Sequence, residues 1–264
     1  MKKKRVIGLN LLYNERLNGN LENWFQCLEP CDHIYVLDMG STDNSKEIYE
    51  KYGHKTTVFY ETENRYDEYC TIKHDLFKKV LEREPDVDWL LWLDGDCLVD
   101  GRLLENDYMQ KLCNLLDDKG IDMPLLGHYN LWRSDTHYRI DNEFHGLHGK
   151  WFPMWGRPHQ KRMIDGGLHP DNNGLVVTPD IRFARVDVNI IHKGFSTSEQ
   201  ILKKYLNYKS KGQTGWELDR LIDEANLETE KIPDNYLPKF LKVNDVDPKT
   251  LPKLIDAYKD KINA

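Results

Sequence analysis

The sequence predicts an α/β fold: a mostly parallel central sheet flanked by helices, followed by a C-terminal helical extension. Two observations carry this expectation. Apolar runs of strand length alternate with stretches whose apolar residues recur at helical spacing through about the first hundred residues. The runs are also apolar without interruption, as strands covered by helices on both faces are. At 264 residues the chain is long enough to bury a sizeable core without covalent staples.

The first run, Val6 to Leu12, ends in Tyr13-Asn14-Glu15 and reads as a buried strand entering a loop. Leu21, Trp24, Phe25 and Leu28 fall on one helical face, which Pro30 closes. Ile34 to Leu37 is a second strand, stopped by Asp38-Met39-Gly40-Ser41. Asp43 or Asn44 caps a helix that runs to Tyr52, with Gly53 just past its end. Thr56 to Tyr60 is a third strand, and Tyr69 to Arg83 a longer helix with Ile72, Leu76, Phe77, Val80 and Leu81 on one face. Trp89 to Leu93 is the fourth strand, ending in Asp94-Gly95-Asp96. A helix over Leu103 to Lys119, strands near Met123–Leu131 and Ile181–Ile191, and a helix over Ser196 to Lys211 follow. The tail from Trp216 onward places Pro233, Pro238, Pro248 and Pro252 between short helical stretches.

Composition narrows the function classes. A formal net charge of −7 argues against a nucleic-acid coat, whose affinity comes from neutralising phosphates. Trp89 to Leu93 is far short of the roughly 20 apolar residues of a membrane span. Met1-Lys2-Lys3-Lys4-Arg5 is basic, but Asn10, Asn14, Glu15 and Arg16 interrupt any signal-peptide apolar region. Five cysteines, an odd number, make no disulfide framework and no zinc-finger spacing, so a soluble cytoplasmic protein with reduced thiols is expected.

In a parallel sheet covered by helices, ligands bind beyond the carboxyl ends of the strands, and Glu15, Asp38 and Asp94 all stand there. Asp94-Gly95-Asp96 presents two carboxylates on a turn leaving a strand; hard oxygen ligands of this kind suit Mg²⁺ or Mn²⁺, which would also bridge a diphosphate. Gly95 leaves room for close approach. Taken alone, the tripeptide also reads as an ordinary turn. Asp38-Met39-Gly40-Ser41-Thr42-Asp43 offers Asp38 to a base or ribose, and reads equally well as a capped strand–helix turn.

In combination these segments are more specific. Leu9-Asn10-Leu11-Leu12-Tyr13-Asn14-Glu15, then Val36 to Ser45, then Trp92-Leu93-Asp94-Gly95-Asp96 resemble the GT-A glycosyltransferases of family 2, in order and spacing. Thr71-Ile72-Lys73-His74-Asp75-Leu76 resembles that family's helix with a basic residue near the nucleotide, with His74 where Asn is usual. Ile191-His192-Lys193-Gly194-Phe195, with Lys204, Tyr205 and Tyr208, resembles a late segment of some members.

The resemblance covers about residues 5–211 and implies a metal-dependent glycosyltransferase, inverting, with a UDP- or GDP-sugar donor, Mn²⁺ or Mg²⁺, and a glycan or other hydroxyl acceptor. It implies a GT-A domain over residues 1–211, its donor half about 1–100 and its acceptor half about 101–211, with 212–264 as the helical extension. Tyr13, Glu15, Asp38, Lys73, Asp94, Lys193 and Lys204 would line the nucleotide and phosphates, and Asp94, Asp96 and His192 would meet the metal, Asp96 most directly. Met39 replaces the second Asp of the common pattern, which leaves Asp38 alone for the nucleotide.

An inverting transfer also needs a base for the acceptor hydroxyl. The family's usual Glu-Asp pair is missing; Asp165-Gly166-Gly167-Leu168-His169-Pro170-Asp171-Asn172 is the nearest equivalent, with Pro170 where Glu often follows the His. Asp171 ranks first as base, ahead of Asp165 and His169. Trp132 to Arg162 is the expected acceptor side; core packing accounts for most of its aromatics, and Trp155 and Arg157, in a Pro- and Gly-rich stretch, are the site candidates.

Three other classes are weighed. A nucleotidyltransferase making the nucleotide sugar would want a Gly-rich triphosphate loop after the first strand, and Leu12-Tyr13-Asn14-Glu15 is none. A haloacid-dehalogenase-like phosphatase would use Asp94 and Asp96, but expects the motif near the N-terminus and leaves Asp38-Met39-Gly40-Ser41 unexplained. A non-catalytic carbohydrate-binding protein would need no carboxylate pair. The sequence does not give the oligomeric state.

Overall fold

Strand β1 (Val6–Leu12) is buried along its whole length and forms the centre of the molecule. It pairs in parallel with β2 (His33–Asp38) on one side and β4 (Trp89–Trp92) on the other, and β2 pairs in parallel with β3 (Thr56–Tyr60). A short strand, β8 (Met154–Gly156), closes the β4 edge antiparallel, giving the order β3-β2-β1-β4-β8. The structure, a computed structural model, describes residues 2–65, 68–141, 154–157 and 181–263. The expected class, mixed α/β with a mostly parallel central sheet and helices, is what the chain adopts.

The uninterrupted apolar strands have the predicted cause. Val6, Leu12, Ile34, Val36, Trp89 and Leu91 pack on one face with Trp24 and Phe25 of α1 (Leu21–Cys27), Tyr49 of α2 (Ser45–Lys51) and Leu112 and Leu116 of α4 (Tyr108–Asp118). Ile7, Leu9, Leu11, Tyr35, Leu37, Leu90 and Trp92 pack on the other with Ile72, Leu76, Phe77 and Val80 of α3 (Tyr69–Arg83). The predicted helix over Leu103 to Lys119 divides into a 3-10 turn, Gly101–Leu104, and α4. The break falls at Asn106 and Asp107, whose φ values of 51° and 56° no helix accommodates.

After β3 the chain returns past β2 and β1 to lay β4 on the far side of β1, which puts the reversal of strand order between β1 and β4. The carboxyl ends of these strands flank the crevice where such sheets bind ligands. Beyond it lies a second sheet in the order β5-β9-β6, built from β5 (Cys97–Val99), β9 (Phe183–His192) and β6 (Met123–Asn130). Its register sets His192 opposite Cys97 on one side and Asn130 on the other.

Helix α5 (Ser198–Ser210) begins with a capping box between Thr197 and Gln200 and packs Ile201, Leu202 and Tyr205 against Trp132 and the C-terminal residues Leu218, Leu221, Ile222 and Leu254. The C-terminal segment holds short helices, α6 (Trp216–Asp219), α7 (Leu254–Ala257) and α8 (Lys259–Asn263), and also a strand, β10 (Thr229–Lys231), that pairs antiparallel with β7 (His137–Arg139). Among the described residues, no helix is long and apolar enough to cross a membrane. All five cysteines are free thiols, four of them buried.

Two expectations are corrected here. Trp155 is no acceptor platform: it lies on β8, is 1% exposed, and packs edge-on to Phe77 at 5.2 Å within the α3-side core. Its Pro and Gly neighbours mark a three-residue edge strand rather than a loop. Arg157 stands just past β8, which runs antiparallel to β4 and pairs Gly156 with Trp89. That register carries Arg157 to the amino end of β4, where its guanidinium donates to the Pro85 carbonyl, at the opposite end of the sheet from the crevice.

Candidate active site

The crevice begins with Leu93, the last residue before the two carboxylates. Its carbonyl oxygen accepts from Asn10 Nδ2 at 2.5 Å and from Trp24 Nε1 at 2.7 Å. A polar side chain in the middle of an apolar strand and an indole from α1 thus pin the exit of β4, and the Asp94 carbonyl then accepts the Cys97 N–H at 2.9 Å to close the turn. Glu15 enters from the β1 loop and lies over Gly95, where an added Cβ would come within 2.7 Å of Glu15 Cγ. A side chain at position 95 would displace Glu15.

The three carboxylates of this turn differ electrostatically. Burial, then the charge of Asp96, pushes Glu15 up to about 7, against a hydrogen bond from Asn20 Nδ2 at 3.1 Å. Burial likewise raises Asp94, with Lys73 opposing; Asp94 Oδ1 accepts the Trp92 indole N–H at 2.8 Å. Burial would raise Asp96 too, but the charges and hydrogen bonds of His192 and Lys204 outweigh it and hold this carboxyl far below the usual carboxylate range.

Asp96 Oδ2 is the convergence point. His192 Nε2 stands 3.0 Å from it and Lys204 Nζ 3.1 Å, with Nζ and Nε2 3.4 Å apart. The other ring nitrogen, Nδ1, lies 2.8 Å from Asn130 Oδ1, and the ring stacks on His128 with centroids 5.6 Å apart. The β5–β9 pairing places His192 beside the residue that follows Asp96, and the β6–β9 pairing places Asn130 behind it. The Lys193 N–H donates to the Asp96 carbonyl at 2.7 Å, which fastens the two chain segments together.

The remaining sequence candidates divide. Tyr13 is 38% exposed at the rim of the crevice. Asp38 is buried and holds its own turn: Oδ1 accepts the Ser41 N–H at 2.8 Å and Oδ2 the Tyr49 hydroxyl at 2.7 Å. Each oxygen keeps a further lone pair with which to accept from a ligand. Lys73 is buried behind Asp94 with its ammonium 4.1 Å from the Trp92 ring centroid; burial lowers it to about 8, with Asp94 opposing. Lys193 points to Asp135, 3.1 Å away, rather than to the carboxylates. Asp165, His169 and Asp171 lie outside the described residues, as do Trp151, Phe152, His145, His148 and His159. Among the described residues, no group of three or more His, Cys, Asp and Glu side chains converges as a self-sufficient metal cage.

Sequence reasoning did not single out Asn10, Trp24, Asn20 or Asn130 as positioning residues. Asn10 alone left a signal, an amide within a run of aliphatic residues; the others look like ordinary helix and strand positions.

Solved structures similar to this chain include glycosyltransferases. Residues 1–349 of TarS from S. aureus align at 12% identity and a TM-score of 0.47, over 82% of this chain and 69% of that one. The same fragment in complex with UDP aligns at 13% identity and a TM-score of 0.46, over 83% and 69%. The mannosyltransferase PcManGT from Pyrobaculum calidifontis, in complex with GDP-Man and Mn²⁺, aligns at 16% identity and a TM-score of 0.46, over 81% and 66%. No family model and no curated protein sequence matches the chain.

Proposed function

We propose that the chain is a metal-dependent glycosyltransferase that moves a hexosyl or pentosyl group from a nucleotide-diphosphate donor to an acceptor hydroxyl, with inversion. One observation carries the reading: Asp96, just before β5, and His192, at the end of the neighbouring β9, meet at 3.0 Å beside the half-buried Lys204 ammonium in the crevice between β1 and β4. A carboxylate and an imidazole offer hard oxygen and nitrogen donors, and the Lys204 ammonium lies within 3.1 Å of one and 3.4 Å of the other. These donors fit Mn²⁺ or Mg²⁺. Two protein ligands rather than three suit an ion of this kind, which keeps water and takes substrate phosphate as further ligands.

In this reading Asp96 and His192 hold the ion and Asp94 meets the ribose. Bound there, the ion would act as a Lewis acid on the departing diphosphate. The protein's own contribution is positioning. Asn130 orients the His192 ring, Gly95 and Glu15 set the depth of the crevice floor, and Lys204 supplies positive charge within reach of phosphate oxygens. Tyr13 and Asp38 flank the nucleoside end. Asp171, ahead of Asp165 and His169, is the proposed base that takes the acceptor proton as the hydroxyl oxygen bonds to the sugar C1 and the C1–diphosphate bond breaks. The catalytic domain is residues 1–211, with 212–264 folded onto it.

Thermal unfolding with UDP, GDP, CDP and TDP, each with and without Mn²⁺, tests the donor site. Stabilisation by one nucleotide that grows with Mn²⁺ is expected; no metal-dependent stabilisation by any of the four would remove the reading. Asp171→Asn is expected to abolish transfer while keeping that stabilisation.

A further inference from the structure

The cation already in the crevice belongs to the protein. Lys204 is carried by the second turn of α5, and its ammonium touches both Asp96 Oδ2, at 3.1 Å, and His192 Nε2, at 3.4 Å. It reaches this point across Gly194, where a Cβ would collide with Lys204 Nζ, His192 Nε2 and Asp96 Oδ2 alike. Phe195 backs the ammonium with its ring centroid 4.5 Å away. Asn130 Oδ1 holds the His192 ring through Nδ1 and leaves Nε2, the nitrogen a metal would use, facing Asp96 and Lys204. The ammonium lies against both atoms and is the cation that now joins them.

Charge matching sharpens the point. Asp94 has Lys73 as its counter-charge and Asp96 has Lys204. Two of the three carboxylates here therefore face a lysine before any ligand enters, and burial holds the third, Glu15, up at about 7. A divalent cation arriving alone must displace an ammonium and leaves the crevice with excess positive charge. A nucleotide diphosphate removes that excess and gives the displaced ammonium a new anionic partner.

We propose that Lys204 is the resident cation of the donor site: it occupies the Asp96–His192 pair until a divalent metal and a nucleotide diphosphate enter together, then moves onto the diphosphate. The inference rests on the assignment of Asp96 and His192 as metal ligands. By linkage, it makes metal and nucleotide binding strongly and reciprocally coupled.

The test is Mn²⁺ binding to the full chain, followed by the electron paramagnetic resonance signal of free Mn²⁺, in the absence of any turnover. Wild type is expected to bind Mn²⁺ weakly alone and more tightly when UDP or GDP is present. Lys204→Met keeps the stem and removes the charge; it should bind Mn²⁺ alone about tenfold more tightly or better, and lose most of the coupling. Lys204→Arg, which keeps the charge, should behave as wild type toward Mn²⁺ alone and controls for folding. Equal or weaker Mn²⁺ affinity in Lys204→Met, with the affinity of wild type lowered by Asp96→Asn, overturns the inference and leaves the metal-site reading intact. Mn²⁺ affinity indifferent to Asp96→Asn, or no Mn²⁺ binding with either nucleotide, overturns both.

Discussion

The side-chain amide of Asn10 donates to the carbonyl oxygen of Leu93 at 2.5 Å, tying the middle of β1 to the last residue before the two aspartates. Asn10 is 2% exposed, and its Oδ1 accepts the Leu11 N–H at 2.7 Å, so its amide is engaged at both ends. The bond is a positioning device: it sets where β4 releases Asp94-Gly95-Asp96 into the crevice. Asn10→Leu conserves volume and removes both contacts. It is expected to lower stability by about 1–3 kcal/mol, read from urea unfolding. The same variant should reduce the Mn²⁺-dependent stabilisation by nucleotide more than a core change of equal cost elsewhere, such as Ile34→Ala; equal reductions would make Asn10 a purely structural residue.

Trp155 and Arg157 separate core from site. Trp155 is enclosed by Phe77 and the α3-side core, so Trp155→Ala should cost about 3–5 kcal/mol in unfolding free energy, the range for deleting a buried aromatic ring. Arg157→Ala removes one exposed contact to the Pro85 carbonyl and should stay within about 0.5 kcal/mol of wild type. Neither should alter the KM for an acceptor in a folded enzyme. A raised acceptor KM in Arg157→Ala at unchanged stability would return Arg157 to the acceptor side.

Glu15 gives the ligand-free protein a pH dependence whose sign follows from its environment. Burial and the neighbouring Asp96 charge hold it up at about 7, above the ordinary glutamate value of 4.5. Between these values the folded state binds more protons than the unfolded state, so unfolding free energy falls as pH rises through this window and levels off above it. Glu15→Gln removes this contribution. From about pH 5 to pH 8 wild type should lose about 2 kcal/mol relative to the variant, allowing for partial exposure. Paired urea titrations at the two pH values check this, and parallel losses in both proteins would refute it.

The legible part of the molecule is the part encoded locally. β1, β2 and β4 are apolar on both faces because α1, α2 and α4 cover one side and α3 the other, and uninterrupted apolar runs report that directly. The aspartates at the end of β4 follow from strand position alone. The meeting of His192 with Asp96 does not: it depends on β5 pairing antiparallel with β9 across a long separation in sequence, and only the resemblance to a family suggested it. Trp155 misled for the opposite reason. Pro153, Gly156 and Pro158 read as loop, while a three-residue edge strand needs few ladder bonds and tolerates such neighbours. The C-terminal proline-rich stretch hid a strand, β10, because three residues carry no periodicity.

The C-terminal segment holds the start of α5, and with it one wall of the crevice. Glu224 is buried, and its carboxylate accepts from Trp132 Nε1 at 2.8 Å, from Arg133 Nη1 at 3.1 Å and from the Leu254 N–H at 2.8 Å. Arg133 in turn donates through Nε to Ser198 Oγ at 3.0 Å and through its backbone N–H to the Phe195 carbonyl at 2.8 Å. The backbone of Arg133 carries a φ of 50°, a conformation that costs free energy and persists because these bonds over-determine it. This ion pair therefore anchors the start of α5, and through it the position of Lys204, to residues beyond 211. Removing either partner leaves the other as a buried uncompensated charge, so Glu224→Ala and Arg133→Ala should each cost about 3–5 kcal/mol. The double variant should cost less than the sum of the two, a coupling that a double-mutant cycle in urea measures. Strict additivity would show that the pair contributes nothing beyond its separate contacts.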